Sequence, residues 1–194
     1  MANTMFVIAL GSNLPSAAGG SAQSLAAALG RFAGEGLALR ALSRFWRSPA
    51  FPAGSGPDFV NACALAEGEM TPEAALAALH RIEAALGRER HARWAARGID
   101  LDLIAAEGAI RPDPAVQAEW RALPLEAQMR RAPETLILPH PRLQDRAFVL
   151  IPLAEIAPGW CDPVSGRSVA QMLAALPEAE KAALQPFAAP FATA

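Results

Sequence analysis

The sequence predicts an α+β protein in which helices pack on one face of an antiparallel sheet. Several short segments alternate between apolar and polar residues, which is typical of half-buried strands. Two helical segments lie between them, and one of these begins at a clear N-terminal cap. The chain has 194 residues, of which 53% are hydrophobic and 19% are charged, enough for one sizeable core. We therefore expect a single domain over residues 1–194.

The first three strands are predicted from their alternation and from the turns that follow them. Residues 4–13, TMFVIALGSN, predict a strand that ends in a Gly-Ser-Asn turn, and a helix follows at residues 21–32. Residues 37–48, LALRALSRFWRS, alternate as one second strand before a loop rich in Pro and Gly. Residues 58–68, DFVNACALAEG, alternate again and predict the third strand.

The second helix has the clearest beginning in the chain. Thr71 is a good N-cap residue, Pro72 suits the first helical position, and Glu73 places a negative charge where the helix dipole favours it. Helical spacing predicts a buried face made of Ala75, Leu79, Ile82 and Leu86. Gly87 can end the helix.

Residues 99–108, IDLDLIAAEG, predict a further strand after this helix. The order β-α-β-β-α-β is that of ferredoxin-like sheets. Residues 111–133 then predict a long loop or a short helix, and residues 135–158 a short apolar strand and a helical turn. We expect a frayed tail from residue 186 onward.

Composition excludes several classes of protein. A net charge of -2 gives no global field that would attract nucleic acid, and no apolar run approaches the ~20 residues of a membrane span. The first residues lack the basic and apolar regions of a secretory signal. Cys63 and Cys161 lie far apart and are expected to be buried, reduced thiols. We therefore expect a cytoplasmic protein with no nucleic-acid partner and no membrane partner.

Two aspartates interrupt the apolar strand RGIDLDLI. Side chains two residues apart share one face of a strand, so Asp100 and Asp102 point the same way while Leu101 and Leu103 face the core. Two adjacent carboxylates repel each other unless a cation neutralises them, and Mg²⁺ suits a site with few oxygen ligands. A second interpretation remains open, in which a solvent-facing strand end pairs with nearby arginines.

Arginines cluster just before this strand. A guanidinium matches phosphate oxygens bidentately, so the stretch from Arg88 to Arg97 could close over a metal-bound polyphosphate. The same arginines could instead form a solvated face. No Walker loop is present in the sequence, so phosphate binding would fall to arginine and metal.

Four segments together resemble the family of 6-hydroxymethyl-7,8-dihydropterin pyrophosphokinases. They are IALGSNLP, DFVNA, RWAARGIDLDLI and LPHPRLQDRAFVLIPLAEIAP, at residues 8–15, 58–62, 93–104 and 138–158. The segments occur in the family's order and cover most of residues 5–160. The resemblance implies transfer of pyrophosphate from ATP to the hydroxymethyl group of the reduced pterin, with release of AMP, in folate biosynthesis.

The resemblance also implies roles for individual residues. It assigns Asp100 and Asp102 to two Mg²⁺ ions, with ATP as co-substrate, and makes these acids catalytic together with Arg88 and Arg97. The implied ATP site comprises Leu76, His80, Glu83, Arg88, Arg97, Leu103, His140 and Arg146. The implied pterin site comprises Ser48, Phe51, Phe59, Asn61, Trp94 and Phe148, of which Phe59 and Asn61 share one strand face.

One segment departs from the family pattern. Residues 113–132 have no counterpart in compact family members and are interpreted as an insertion, which could be a lid, an oligomer contact or a neutral surface segment. We favour the neutral interpretation, and we expect a monomer that binds only small molecules.

Two rival functions remain open from the sequence. A ferredoxin-like fold could bind RNA or a small effector without catalysis, although no strand shows the exposed aromatic and basic pattern of RNA-binding sheets. Alternatively, the same phosphate chemistry could serve a different acceptor alcohol. Incubation with ATP, Mg²⁺ and the reduced pterin alcohol separates pyrophosphate transfer, which gives AMP, from an ordinary kinase, which gives ADP, and from a binding module, which gives neither.

Overall fold

Within the described residues, the sheet has six strands, and all of their pairings are antiparallel. The structure, a computed structural model, describes residues 3–50, 56–88 and 98–188. The strand order is β5-β1-β4-β3-β6, and β2 also pairs with β4. The strands are β1 (Thr4–Ser12), β2 (Ala38–Leu42), β3 (Trp46–Ser48), β4 (Phe59–Gly68), β5 (Asp100–Ala106) and β6 (Gln185–Pro186).

Seven helices accompany the sheet in the part of the chain that is described. They are α1 (Ser21–Leu29), α2 (Pro72–Ala85), α3 (Pro114–Ala122), α4 (Leu125–Arg130), α5 (Ala147–Ile156), α6 (Val169–Ala175) and α7 (Glu178–Ala182). The predicted N-cap of α2 is confirmed, because the Thr71 side chain accepts a hydrogen bond from the Ala74 N–H. No helix of the described ranges is both long enough and apolar enough to cross a membrane.

Helices cover both faces of the sheet, whereas the sequence predicted one covered face. Alternate residues of β1, such as Ile8 and Leu10, join the core that α1 and α2 form with Leu25, Leu79 and Ile82. The opposite face packs against α5 and α6, in a second core that contains the residues Val7, Cys63, Ile104, Leu150, Leu153, Val169 and Met172. The α+β class with helices packed on an antiparallel sheet is therefore confirmed, with a second helical layer added.

The predicted second strand is divided into β2 and β3. The pairing register shifts by one residue between Leu42, opposite Ala64, and Trp46, opposite Asn61. At the break, Ser43 Oγ accepts a hydrogen bond from the Cys63 N–H at 2.9 Å. A side-chain hydroxyl therefore takes the place of a backbone carbonyl, and the ladder is interrupted there.

The region after β5 also differs from the prediction. The short apolar strand expected near residue 136 is reduced to an isolated bridge between Arg111 and Leu138, and the next backbone contact of this segment, from the His140 N–H, goes to the Ile104 carbonyl of β5 instead. The expected helical turn is the ten-residue helix α5, whose apolar surface is buried between the sheet and α6. The region 111–133, predicted as a loop or short helix, contains α3 and α4.

Two further features concern the C-terminal part of the chain. The Phe187 N–H donates to the Phe45 carbonyl at 2.8 Å, so the chain is still hydrogen-bonded at the predicted start of the tail. Residues 189–194 lie outside the described ranges. Both cysteines are free thiols, as predicted, but only Cys63 is buried; Cys161 is exposed in the loop before α6, so its predicted burial is wrong.

Candidate functional site

The site residues on the sheet lie in one row across three strands. Asp100 on β5 is opposite Gly11 on β1, and Gly11 is opposite Asn61 on β4. Asp102 is opposite Ala9, so both aspartates lie on the face that α5 and α6 cover elsewhere. Because neighbouring strands are about 4.8 Å apart, Asp100 and Asn61 stand about 10 Å from each other across Gly11. The row joins the predicted phosphate and pterin residues on one surface.

Each aspartate of the pair has an arginine beside it. Arg88 Nη1 lies 2.7 Å from Asp100 Oδ1, and Arg146 Nη1 lies 3.7 Å from Asp102 Oδ2. The Asp102 side chain is 43% exposed and that of Asp100 24% exposed, so both carboxylates remain open to a ligand. The two arginines can bind an anion, and the two aspartates can bind a cation that is bound to the same anion.

Glu83 connects this pair to the helix behind the sheet. It is buried on α2, where its Oε1 accepts hydrogen bonds from Arg88 and, at 2.7 Å, from the Leu101 N–H of β5. Burial raises the pKa of Glu83 to about 7, although Arg88 and the Leu101 N–H oppose that rise. Arg88 therefore lies between two carboxylates, the buried Glu83 on α2 and the partly exposed Asp100 on β5.

A pH dependence of stability follows from Glu83. Because the pKa of Glu83 is raised on folding, its contribution to stability is fully present below its ordinary pKa of 4.5 and is lost as the pH rises through about 7. In the wild type, ionisation of Glu83 should lower the free energy of unfolding by about 2 kcal/mol between pH 5 and pH 8. Glu83→Gln cannot ionise, so we expect this decrease to be absent in the variant. Urea unfolding at several pH values measures this difference.

The control for that experiment is Glu73→Gln, which changes an exposed carboxyl in the first turn of the same helix. This variant is expected to keep the wild-type slope. An unchanged slope in Glu83→Gln would show that Glu83 ionises in the folded protein as it does in the unfolded chain.

His140 and Arg146 come to the edge of the sheet from the segment before α5. The His140 N–H donates to the Ile104 carbonyl of β5 at 2.8 Å, which holds the segment against the strand. Burial, Arg146 and Arg142 lower the pKa of His140 well below its ordinary value. His140 Nδ1 accepts a hydrogen bond from the Arg142 N–H at 3.1 Å, so the neutral ring presents Nε2 as a donor.

The predicted pterin residues that are described form one polar and aromatic patch. Asn61 Nδ2 donates to Ser48 Oγ at 2.9 Å, and both residues are buried. Phe59 is opposite Ser48 on the neighbouring strand, and Phe148 on α5 lies beside the Arg146 guanidinium, 5.5 Å from its ring centroid. Phe59 and Asn61 share one face of β4, so a ring and an amide stand side by side there, which suits a flat heterocycle.

The remaining residues of the predicted ATP site divide between a surface depression and the core. Leu76, with Leu136, Thr135 and Arg111, lines a depression of about 460 Å³ beside α2. His80 follows one turn later on the same stripe of α2 and is half-buried. The Leu103 side chain packs in the core with α1 and α2, so only its backbone could meet a nucleotide.

Three predicted residues, Phe51, Trp94 and Arg97, lie outside the described ranges. Gly11 and Ser12 lie next to the site but were not predicted as site residues. A Cβ on Gly11 would lie 3.5 Å from Asn61 Oδ1 and 3.8 Å from Phe59 Cδ1, so this glycine leaves the floor of the row open. Ser12 Oγ donates to the Gly98 carbonyl at 2.8 Å and ties the start of β5 to the end of β1. The Gly-Ser pair that ends β1 was the available signal.

The donor set fits Mg²⁺ bound together with a substrate. No group of three or more His, Cys, Asp or Glu residues within the described ranges could hold a metal by itself. Two half-exposed carboxylates on one strand face match the way Mg²⁺ binds one or two carboxylates and completes its shell with water and phosphate oxygens. Arg88 and Arg146 would then face the phosphates.

The fold and site define an α+β protein whose sheet carries a paired-carboxylate site flanked by arginines. The family model "7,8-dihydro-6-hydroxymethylpterin-pyrophosphokinase (HPPK)" matches residues 7–158. The chain belongs to this family.

Two relatives support the assignment, and both are named 2-amino-4-hydroxy-6-hydroxymethyldihydropteridine pyrophosphokinase. The protein of Methylorubrum extorquens is 37% identical over 174 residues, which are 89% of this chain and 94% of the relative. The protein of Synechocystis sp. is 36% identical over 138 residues, which are 71% of this chain but only 60% of the relative.

A solved structure matches in fold alone. The wild-type HPPK-DHPS of Plasmodium falciparum aligns with a TM-score of 0.59 at 11% identity, over 89% of this chain and 44% of that chain. The chain therefore spans less than half of this larger protein.

Proposed function

We propose that the protein transfers pyrophosphate from ATP to the hydroxymethyl group of 6-hydroxymethyl-7,8-dihydropterin, releasing AMP, as a step of folate biosynthesis. The observation that carries the proposal is the row Asp100, Gly11, Asn61, which places an acidic, arginine-flanked site next to an aromatic and amide-bearing patch. Family membership supports the same reaction.

The reaction forms one bond and breaks one. The hydroxymethyl oxygen bonds to the β-phosphorus, the bond from this phosphorus to the α,β-bridging oxygen breaks, and AMP leaves with that oxygen. The hydroxyl proton passes to solvent or to a nearby base. The product is the pterin diphosphate, and the residues of the site contribute mainly by positioning and by charge.

Each predicted residue has a place in this proposal. Asp100 and Asp102 would hold two Mg²⁺ ions, which would supply positive charge for the phosphates. Arg88 and Arg97 clamp the phosphates, and Leu76, His80, Leu103, His140 and Arg146 contact the nucleotide. Glu83, predicted as part of the ATP site, acts on the nucleotide through Arg88, because its own side chain is buried. The pterin is held by Ser48, Phe51, Phe59, Asn61, Trp94 and Phe148.

The broader assignments belong to the same proposal. The strand order β5-β1-β4 with β2 and β3 beyond it supports a ferredoxin-like arrangement, elaborated by α5, α6 and β6. We propose one domain over residues 1–194 that acts as a monomer. We propose that it acts in the cytoplasm.

The product of the reaction tests the proposed function. Incubation with ATP, Mg²⁺ and the reduced pterin alcohol should give equal amounts of AMP and pterin diphosphate, measured by chromatography. Omission of the pterin should abolish AMP formation. ADP as the nucleotide product would contradict pyrophosphate transfer, and the absence of any product would favour a binding module.

A further inference from the structure

The segment at residues 113–132 is attached to the nucleotide side of the site. Its helix α3 carries Gln117, which is fully buried, and Gln117 Nε2 donates to the Pro139 carbonyl at 3.2 Å. Pro139 directly precedes His140. Burying an amide is unfavourable unless it is hydrogen-bonded, so a segment without a role at the site would be expected to carry an apolar residue here.

A second link lies one helical turn further along α3. Arg121 donates to Gln144 Oε1 from Nε at 3.1 Å and from Nη2 at 2.8 Å, in the two-pronged geometry of a guanidinium. Gln144 Nε2 in turn donates to the Pro141 carbonyl at 3.1 Å. Gln117 and Arg121 thus hold the segment 139–146 at two points, Pro139 and Gln144, and Gln144 passes the second contact on to Pro141.

Arg121 is itself fixed by the loop before α6. Its Nη2 lies 2.8 Å from Asp162 Oδ2, and Asp162 is completely buried. Asp162 also accepts hydrogen bonds from Ser165 Oγ at 2.6 Å and from the Val164 N–H at 3.1 Å. A buried pair with this many partners favours one orientation of the guanidinium over its alternatives.

The segment 139–146 carries this constraint to the carboxylate pair. The His140 N–H is bonded to Ile104 on β5, and Arg146 reaches Asp102 from the other end of the segment. A displacement of the segment would therefore move both His140 and Arg146 relative to Asp102. It would leave Ser48 and Asn61 in place, because these are held by β3 and β4.

We propose that Gln117 and Arg121 are positioning residues for the nucleotide, which hold the segment 139–146 against β5 and thereby set the affinity for ATP but not for the pterin. The insertion then supports the nucleotide site through Gln117 and Arg121, and we call these two contacts the strut. The identity of the ligand rests on the proposed function; the mechanical link between α3 and the segment does not.

The test uses variants that release the segment but keep the buried charge pair. Gln144→Ala removes the acceptor of Arg121 and leaves the Arg121–Asp162 pair intact, and Gln117→Leu removes the bond to Pro139. In the double variant, we expect amide hydrogen exchange of residues 140–143 to accelerate about tenfold and the Kd for a non-hydrolysable ATP analogue with Mg²⁺ to rise about tenfold. The Kd for the pterin should stay unchanged.

The matched control is Glu119→Ala. Glu119 is an exposed residue of the same helix and pairs with the exposed Arg131. We expect wild-type exchange and wild-type ATP affinity in this variant. Thermal unfolding of all variants establishes that each one is folded.

The outcomes separate the strut from the proposed function. Unchanged exchange in the double variant would overturn the strut, whatever the Kd. Faster exchange with an unchanged Kd for the ATP analogue would overturn its role at the nucleotide. An equal loss of affinity for the pterin would also contradict the proposal, because it would show that the double variant disturbs the whole site. If the wild-type protein binds no ATP analogue, the proposed function fails, and the exchange rates alone decide on the strut.

Discussion

Asp100→Asn and Asp102→Asn are each expected to lower kcat/KM by about 10³-fold, which corresponds to about 4 kcal/mol of transition-state stabilisation. Each substitution removes one carboxylate of the pair that lies on one face of β5, which we propose as ligands of Mg²⁺. The fold should persist, because both side chains are partly exposed and an amide can replace the carboxylate oxygen that faces Arg88. Steady-state kinetics with AMP as the measured product gives the change.

Glu67→Gln is the matched control for this experiment. Glu67 also lies in the sheet, its side chain is 24% exposed, and it also pairs with an arginine, Arg40. It stands at the opposite end of β4 from Asn61, so its loss should leave kcat/KM within about twofold of the wild type. Wild-type kinetics in both aspartate variants would refute the metal assignment.

Arg88→Met is expected to lower the free energy of unfolding by about 2 kcal/mol at pH 8, and by less at pH 5. Arg88 is the cation that faces both the buried Glu83 and Asp100. Without it, Glu83 is held in the protonated form, and the free energy needed for that protonation increases with pH. Urea unfolding at the two pH values measures the effect.

Two further variants isolate the cause. Arg88→Met combined with Glu83→Gln should lose most of the pH dependence, because no carboxyl is then left without its cation inside the protein. Arg81→Met, on the same helix, removes an arginine whose side chain is 60% exposed and bonded to Glu35, and should cost no more than about 0.5 kcal/mol. A loss in Arg88→Met that is equal at pH 5 and pH 8 would contradict the role assigned to Glu83.

The helices and strands up to β5 could be predicted from the sequence because each has a local signal. The Thr71-Pro72 beginning of α2 and the alternation of β4 are short-range patterns, and the structure confirms both. The break between β2 and β3 has no such pattern. It depends on the hydrogen bond from the Cys63 N–H to Ser43 Oγ, twenty residues away in the chain. A pattern of neighbouring residues cannot predict such a contact.

The second helical layer was missed for two different reasons. The apolar residues of α5 are buried on almost every side, so they show no helical period that could be distinguished from a strand. For α6 a signal did exist: Ser168 and Gln171 form a capping box, with each side chain bonded to the other's backbone N–H. The sequence interpretation did not use it.

Of the candidate site, the sequence supplied the residues but not their connections. The i, i+2 spacing of Asp100 and Asp102 is local, and the structure places them on one face as predicted. The link from Glu83 through Arg88 to Asp100 joins α2 and the turn after it to β5, and it follows only from the packing of α2 on β5. The same holds for Gln117, Arg121 and Asp162, whose partners are up to 41 residues away in the chain.

A crystal structure with Mg²⁺ and a non-hydrolysable ATP analogue tests the central claim most directly. The account predicts metal ions within about 2.1 Å of carboxylate oxygens of both Asp100 and Asp102, each also bound to phosphate oxygens of the nucleotide. Carboxylates that remain paired with Arg88 and Arg146, with no metal beside them and the phosphates bound elsewhere, would contradict it.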